Sequence, residues 1–80
     1  MGSDSVALSS LTAGMRAEVV SIEVLQPSKG RLMEMGLLTG TSLEIVRFAP
    51  MGDPMEIKVR GYHLTLRRSD ADLIKVRSLP

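Results

Sequence analysis

Few side chains in this sequence could take part in chemistry, and their spacing does not assemble an active site. The 80-residue chain has one histidine, His63, and no cysteine. Hydrolysis needs a nucleophile, a base and an orienting group close together, and one histidine with serines mainly in turns does not supply them. Asp70 and Asp72 lie where a helical turn begins, so their charge favours the helix dipole. We therefore expect no enzymatic activity and no cofactor.

Neither the glycines nor the histidine indicate a phosphate or a metal site. The glycine series that begins at Gly30 lacks the Gly-Lys-Ser/Thr ending of a phosphate-binding loop. A single imidazole without cysteine or a second histidine is a poor ligand set for transition metals, so we assign no metal site. One alternative stays open, in which His63 with Glu34 or Glu56 binds a transition metal in a carrier or a metal-mediated dimer.

The composition indicates one small domain that is held together by packing. Hydrophobic residues make up 44% of the chain, and without cysteine no disulfide can contribute to stability. The net charge is +1 and aromatic residues make up 2%, which disfavours binding to nucleic acid by phosphate neutralisation or base stacking. A basic patch keeps a small nucleic-acid-binding barrel as a second alternative; it would comprise Lys29, Arg31, Arg67 and Arg68.

The beginning of the chain, MGSDSVALSS, has no basic region followed by an apolar run, and so does not resemble a signal peptide. No apolar stretch approaches the ~20 residues that cross a bilayer. We expect a cytoplasmic protein in which residues 1–7 form a disordered tail and residues 8–78 form a single domain.

Alternating apolar and polar residues predict five short strands. The clearest strand alternates Met55, Ile57 and Val59 with charged residues, and Arg60-Gly61 then predicts a tight reversal. In the first strand we expect Val20 to point inward. Val19 breaks the alternation, which allows either a bulge or burial on both sides of the strand. The other strands are predicted over residues 15–25, 41–48, 62–67 and 73–77. In the strand over residues 62–67, Tyr62, Leu64 and Leu66 share one face.

A short helix is predicted between the first two strands. Ser28 follows a proline and is suited to cap the helix, while Leu32 and Met35 are expected to face the core. Gly36 is placed to end the helix in a left-handed conformation, so that Leu37 folds back on it. A helix of this length is unstable alone in water, so it must pack on a sheet.

Five strands with one inserted helix predict a mainly β fold, a small barrel whose closure removes exposed edges. Short helical turns are expected near residues 8–13 and 69–72, the second from a capping box formed by Ser69 and Asp72. We assign structural roles to the core and turn residues Leu32, Met35, Gly36, Gly40, Gly52, Asp53, Pro54 and Gly61.

Four motifs in order carry a resemblance to a known family. They are Leu8-x-x-Leu11-x-x-Gly14, Arg31-Leu32-x-Glu34-x-Gly36-Leu37-x-x-Gly40, Ala49-Pro50-x-Gly52-Asp53-Pro54 and Gly61-Tyr62-x-Leu64-x-Leu66-Arg67. Over residues 8–77 the chain resembles the FeoA family, small cytosolic accessory proteins of bacterial ferrous-iron uptake. The resemblance implies a five-stranded SH3-like barrel with a helical insertion. One departure is Thr39, where the family usually has proline.

The resemblance also implies a partner, the GTPase-bearing cytosolic part of the ferrous-iron permease. We expect the helix and the loop Pro50–Pro54 to present one apolar surface rimmed by charge, because methionine is frequent at surfaces that bind partners. We assign partner binding to Lys29, Arg31, Met33, Glu34, Leu37 and Met51. The protein is expected to be a monomer or a weak oligomer that meets the membrane only through the permease.

Overall fold

The computed structural model describes residues 5–80, in which six antiparallel strands form a single sheet. The strands lie in the order β1-β6-β2-β3-β4-β5, with two short α-helices and one 3₁₀ turn, Leu8–Ser10, between them. The bounds of the strands and helices are β1 Val6–Ala7, β2 Arg16–Ile22, α1 Ser28–Glu34, β3 Ser42–Phe48, β4 Met55–Val59, β5 Tyr62–Leu66, α2 Arg68–Ala71 and β6 Ile74–Leu79.

The sheet curls around one hydrophobic core. The five longer strands all contribute side chains to this core, among them Ile45, Ile57 and Val76, which are fully buried. The helices have only seven and four residues, too few to cover the inner face, so the sheet must cover itself. The predicted mainly β fold with an inserted helix is confirmed. Within the described residues, β1 and β5 end the sheet and do not pair with each other, so the predicted closure that would remove exposed edges is wrong and two strand edges remain.

An additional short strand, β1, precedes the five strands that the sequence predicts. Val6 and Ala7 pair with β6, Val6 opposite Val76, and add a sixth strand to the five predicted. The tail predicted over residues 1–7 therefore overlaps ordered structure at these two positions. Residues 1–4 of that tail lie outside the described residues.

A bulge in β2, one of the two alternatives that the sequence allows at Val19, is present and changes which valine faces the core. The register against β6 shifts between Val19 and Ser21, so Val19 is buried while Val20 is 40% exposed. The inward orientation predicted for Val20 is therefore wrong. The loop after α1 joins the sheet here, since Gly40 N–H donates to Val19 O at 2.8 Å and Val19 N–H donates to Thr41 O at 2.9 Å.

The helix α1 begins without the predicted serine cap. Ser28 is the first helical residue and Pro27 is the N-cap, which makes no side-chain bond. Instead the Gln26 carboxamide oxygen accepts the Gly30 N–H at 3.0 Å. Thus a residue before the proline satisfies one of the N–H groups that a helix start leaves without a partner.

The end of α1 has the geometry predicted at Gly36. Gly36 has a φ of 97°, and two bonds close the helix: Leu37 N–H to Leu32 O and Gly36 N–H to Met33 O, both 3.0 Å. This pair of bonds defines a Schellman motif. Leu32 and Leu37 are buried in the core, whereas Met35, which was predicted to be core, is the C-cap and 40% exposed.

The turn between β4 and β5 packs against this helix end. Arg60 and Gly61 have φ values of 52° and 88°, which a two-residue hairpin turn requires and which confirms the predicted reversal. A Cβ built on Gly36 would lie 2.7 Å from the Tyr62 hydroxyl oxygen and 3.7 Å from Arg60 Cδ. A glycine is thus needed at position 36 for both its conformation and its contacts.

The helix α2 is capped from a distant loop rather than by its own capping box. Its N-cap is Arg67, which makes no side-chain cap bond, so the predicted role of Ser69 is wrong. The Asp53 carboxylate accepts the Arg68 N–H at 3.0 Å, and the Asp72 carboxylate accepts the Ser9 hydroxyl. Asp53 therefore ties the loop between β3 and β4 to α2.

Replacing Leu32 tests whether α1 is packed as described. Leu32 is the one buried residue within α1, so Leu32→Ala leaves a cavity between helix and sheet and should lower the free energy of unfolding by about 2–5 kcal/mol. Thermal or urea unfolding monitored by circular dichroism measures this loss. An unchanged midpoint would show that the helix does not depend on this contact.

Replacing Gly36 tests the contact between the helix end and the hairpin turn. Gly36→Ala should cost about 1–2 kcal/mol, since a Cβ disfavours a left-handed residue, and should also displace the Tyr62 ring. Gly14→Ala is the matched control, because Gly14 has a φ of 91° and no atom within 4 Å of a built Cβ. Tyr62 is the single tyrosine, so its ring NMR signals report the displacement. Signals that do not move in Gly36→Ala would contradict the contact.

Candidate interaction surface

Three partly exposed apolar side chains lie at the C-terminal end of α1. Met33 is 41% exposed, Met35 40% and Tyr62 43%, and the Tyr62 hydroxyl lies against the backbone of Gly36. We call these three residues the helix-end surface. Burying Leu32 and Leu37 leaves the methionines outside, so the packing of α1 itself creates this surface.

Charged side chains accompany the helix-end surface. Lys29, Arg31 and Glu34 project from α1, and Arg60 packs beside Gly36 in the hairpin turn. Within the described residues, none of these four side chains forms an ion pair. Apolar residues surrounded by polar and charged ones are the usual composition of a protein–protein interface.

The loop between β3 and β4 carries another exposed methionine. Met51 is 92% exposed at its tip. The loop is ordered by bonds from Ala49 N–H to Pro54 O at 2.9 Å and from Gly52 N–H to Ala49 O at 2.7 Å. This loop leads into the first residue of β4, whereas the hairpin turn that contacts α1 follows the last residue of β4. The two ends of a five-residue strand are about 13 Å apart. The loop with Met51 and the C-terminal end of α1 thus lie at opposite ends of β4.

One residue predicted to bind the partner is not on the surface. Leu37 is fully buried, because the left-handed turn at Gly36 directs the following residue into the core. The prediction that its side chain contacts a partner is therefore wrong. Sequence analysis assigned Met35 to the core and did not place Arg60 or Tyr62 beside the helix end. A signal for the exposure of Met35 was that it directly precedes the residue that ends the helix.

His63 belongs to a polar cluster on the outer face of the sheet. Its Nδ1 contacts the Glu56 carboxylate, and Arg47 Nε donates to the other oxygen of Glu56 at 3.2 Å. The hydrogen bond from Arg47, and next that from His63, keep the pKa of Glu56 below its ordinary value. A metal ion at this carboxylate would have to displace or lie beside the Arg47 guanidinium.

No group of three histidine, aspartate or glutamate side chains that could hold a metal ion occurs among residues 5–80. Two hollows in the described surface have volumes of about 110 and 200 Å³. Typical ligand pockets are larger, from about 300 Å³ upward. These features do not favour a metal centre or a small-molecule site.

The predicted basic patch divides into two parts. Lys29 and Arg31 lie on α1, while Arg67 and Arg68 lie at the start of α2. The Arg68 guanidinium donates to Gly52 O at 3.3 Å and lies 5.6 Å from the centre of the Phe48 ring. One of the four basic groups is thus engaged within the fold, which weakens the hypothesis of a nucleic-acid interface.

None of the helices in the described part of the chain is long and apolar enough to span a membrane. Four residues that shape these turns and caps belong to the motifs that carry the family resemblance: Gly36 and Leu37 at the end of α1, Gly61 in the hairpin turn and the capping Asp53. The fold and the motifs can therefore be compared together with those of known proteins.

A model of the FeoA domain family matches residues 6–78. The solution structure of a FeoA protein from Chlorobium tepidum is 45% identical and superimposes with a TM-score of 0.91, covering 94% of this chain and 71% of that one. FeoA of Stenotrophomonas maltophilia complexed with zinc is 30% identical with a TM-score of 0.73, covering 86% of each chain. It is described as a procaryotic SH3 domain protein, so the predicted SH3-like fold is confirmed.

A fusion protein of Porphyromonas gingivalis, described as Fe(2+) transport protein A joined to the Fe(2+) transporter FeoB, is 36% identical over 69 residues. The match covers 86% of this chain but 8% of that relative. The family model matches nearly the whole described sequence, and the fold of this chain superimposes on the structures of the two FeoA proteins. On this evidence the chain belongs to the FeoA family.

Proposed function

We propose that this chain is a non-catalytic interaction module of bacterial ferrous-iron uptake. In this proposal it binds the GTPase-bearing cytosolic part of the ferrous-iron permease and regulates it in the cytoplasm. The observation that carries the proposal is the helix-end surface, where Met33, Met35 and Tyr62 are exposed among charges without ion-pair partners. Such a surface is suited to a protein partner rather than to a substrate.

The size of the surface supports a transient contact. Three partly exposed side chains and their charged neighbours fit an interface below about 1,200 Å², the size of weak and regulatory contacts. The fusion relative joins a homologous domain to a transporter in one chain. Covalent linkage raises the effective concentration of two modules, so a weak contact is sufficient. A module that regulates a permease benefits from an interface that forms and dissociates readily.

The partner-binding residues in this proposal are Lys29, Arg31, Met33, Met35, Glu34, Arg60 and Tyr62. Met51 is proposed as a separate contact on the loop between β3 and β4, because that loop meets the other end of β4.

The metal-carrier alternative is not proposed: the zinc belongs to the Stenotrophomonas structure, and in this chain His63 and Arg47 already bond the carboxylate of Glu56.

A charge at the exposed position Met33 should weaken binding without unfolding the protein. Met33→Glu places a carboxylate where an apolar contact would form, and we expect at least a tenfold weaker affinity, or about 1.4 kcal/mol. Calorimetric titration against the isolated GTPase domain of the permease from the same organism measures the change. Thermal unfolding of the variant verifies that the fold is kept.

The matched control is Leu73→Glu, because Leu73 is 42% exposed but lies between α2 and β6. It should leave the affinity unchanged. Equal affinities for Met33→Glu and Leu73→Glu would remove the helix-end surface from the interface. Met51→Glu in the same titration shows whether the loop contributes a second contact.

A further inference from the structure

The two edges of the sheet differ in how well they are protected. The strand β1 has two residues, whereas β5 has five, Tyr62–Leu66, with no proline and no acidic, lysine or arginine residue. The β4–β5 ladder also has no bulge, unlike the β2–β6 and β3–β4 ladders. Short length, charge, proline and bulges are the devices that keep edge strands from pairing. β5 has none of them.

The pairing of β5 with β4 determines which backbone groups point outward. Val59 and Tyr62 flank the two-residue turn, so Tyr62, Leu64 and Leu66 form the hydrogen-bonded pairs with β4. His63 and Thr65 therefore direct their N–H and C=O groups away from the sheet. In the described chain, these four groups make no other backbone hydrogen bond.

We propose that this edge binds the same strand of a second copy of the chain. The two β5 strands would lie antiparallel around a two-fold axis at Leu64, with His63 opposite Thr65 of the second copy. Both such pairs then exchange two backbone bonds, and all four outward groups gain partners. Placing His63 opposite His63, or Thr65 opposite Thr65, gives only one such pair within the strands. The edge is therefore self-complementary in a single register.

Side chains on both faces fit this register. On the outer face, Lys58 lies beside His63 and Glu56 lies beside Thr65. Each row across the dimer would therefore hold Lys58 and His63 of one copy and Thr65 and Glu56 of the other, so no like charges lie opposite each other where the two copies meet. On the inner face, Leu64 and Leu66 are buried in the core of their own copy, so they add little to the contact, and Tyr62 is the exposed apolar side chain of this strand.

This pairing contributes four backbone bonds and little apolar area, so the dimer should be weak and concentration-dependent. Sedimentation velocity of the full chain between ~10 μM and ~1 mM should show a growing dimer fraction. Over the same range, the amides of His63 and Thr65 should become protected from hydrogen exchange, while the amide of Leu64, which already bonds β4, should not change. This second readout uses the unmodified protein.

Thr65→Pro removes an outward N–H and places a ring on the edge, without breaking a bond to β4. We expect this variant to stay monomeric, whereas Thr65→Val, which keeps the N–H, should dimerise like the parent. A parent chain that is monomeric at ~1 mM, or protection that does not rise at His63 and Thr65, would overturn the proposal. If instead Thr65→Pro weakens only the titration with the GTPase domain, the edge accepts a strand from that partner and self-pairing is wrong.

Discussion

The turn at Gly36 is the feature on which the rest of the structure depends. A helix of seven residues gains too few backbone bonds to be stable alone in water. Here the left-handed glycine lets two bonds close the helix and sends Leu37 into the core beside Leu32. The same glycine leaves room for the Tyr62 hydroxyl from the hairpin turn. The end of α1, the core residue Leu37 and the first residue of β5 thus pack together around Gly36, which has no side chain.

This arrangement accounts for what the domain exposes. With Leu32 and Leu37 buried, Met33 and Met35 are left outside, and Tyr62 joins them because its strand follows a turn that contacts the helix end. The interior of this small barrel is filled by core side chains, so we expect its function to depend on the side chains at its surface. We infer that the inserted helix serves to fix a small apolar surface rigidly, which lowers the entropy cost of binding a partner.

The parts of the fold that follow from short-range rules could be read from the sequence. Strict alternation identified β4, the paired residues Arg60-Gly61 identified the reversal, and the broken alternation at Val19 allowed a bulge there as one of two alternatives. Each of these signals arises from backbone geometry within a few residues. The same reasoning correctly placed the end of α1 at Gly36.

The errors arise where a backbone group bonds to a partner that the local sequence pattern does not indicate. Ser28 has the right type for a cap, but the Gln26 side chain bonds Gly30 instead. Likewise α2 is capped by Asp53, 15 positions away from Arg68 in sequence. Leu37 was assigned to the surface although its own predicted fold-back buries it, an inconsistency that only the packed structure resolves. The unprotected edge of β5 could not be predicted, because it depends on the order of the strands.

Amide hydrogen exchange at Leu37 tests most directly whether the helix end is clamped to the sheet. The Leu37 N–H closes the helix by bonding Leu32 O at 3.0 Å, so it can exchange only when the helix leaves the core. We expect its opening free energy to equal the global free energy of unfolding. A much smaller value, similar to that of fraying chain ends, would show that α1 opens independently and would contradict this account.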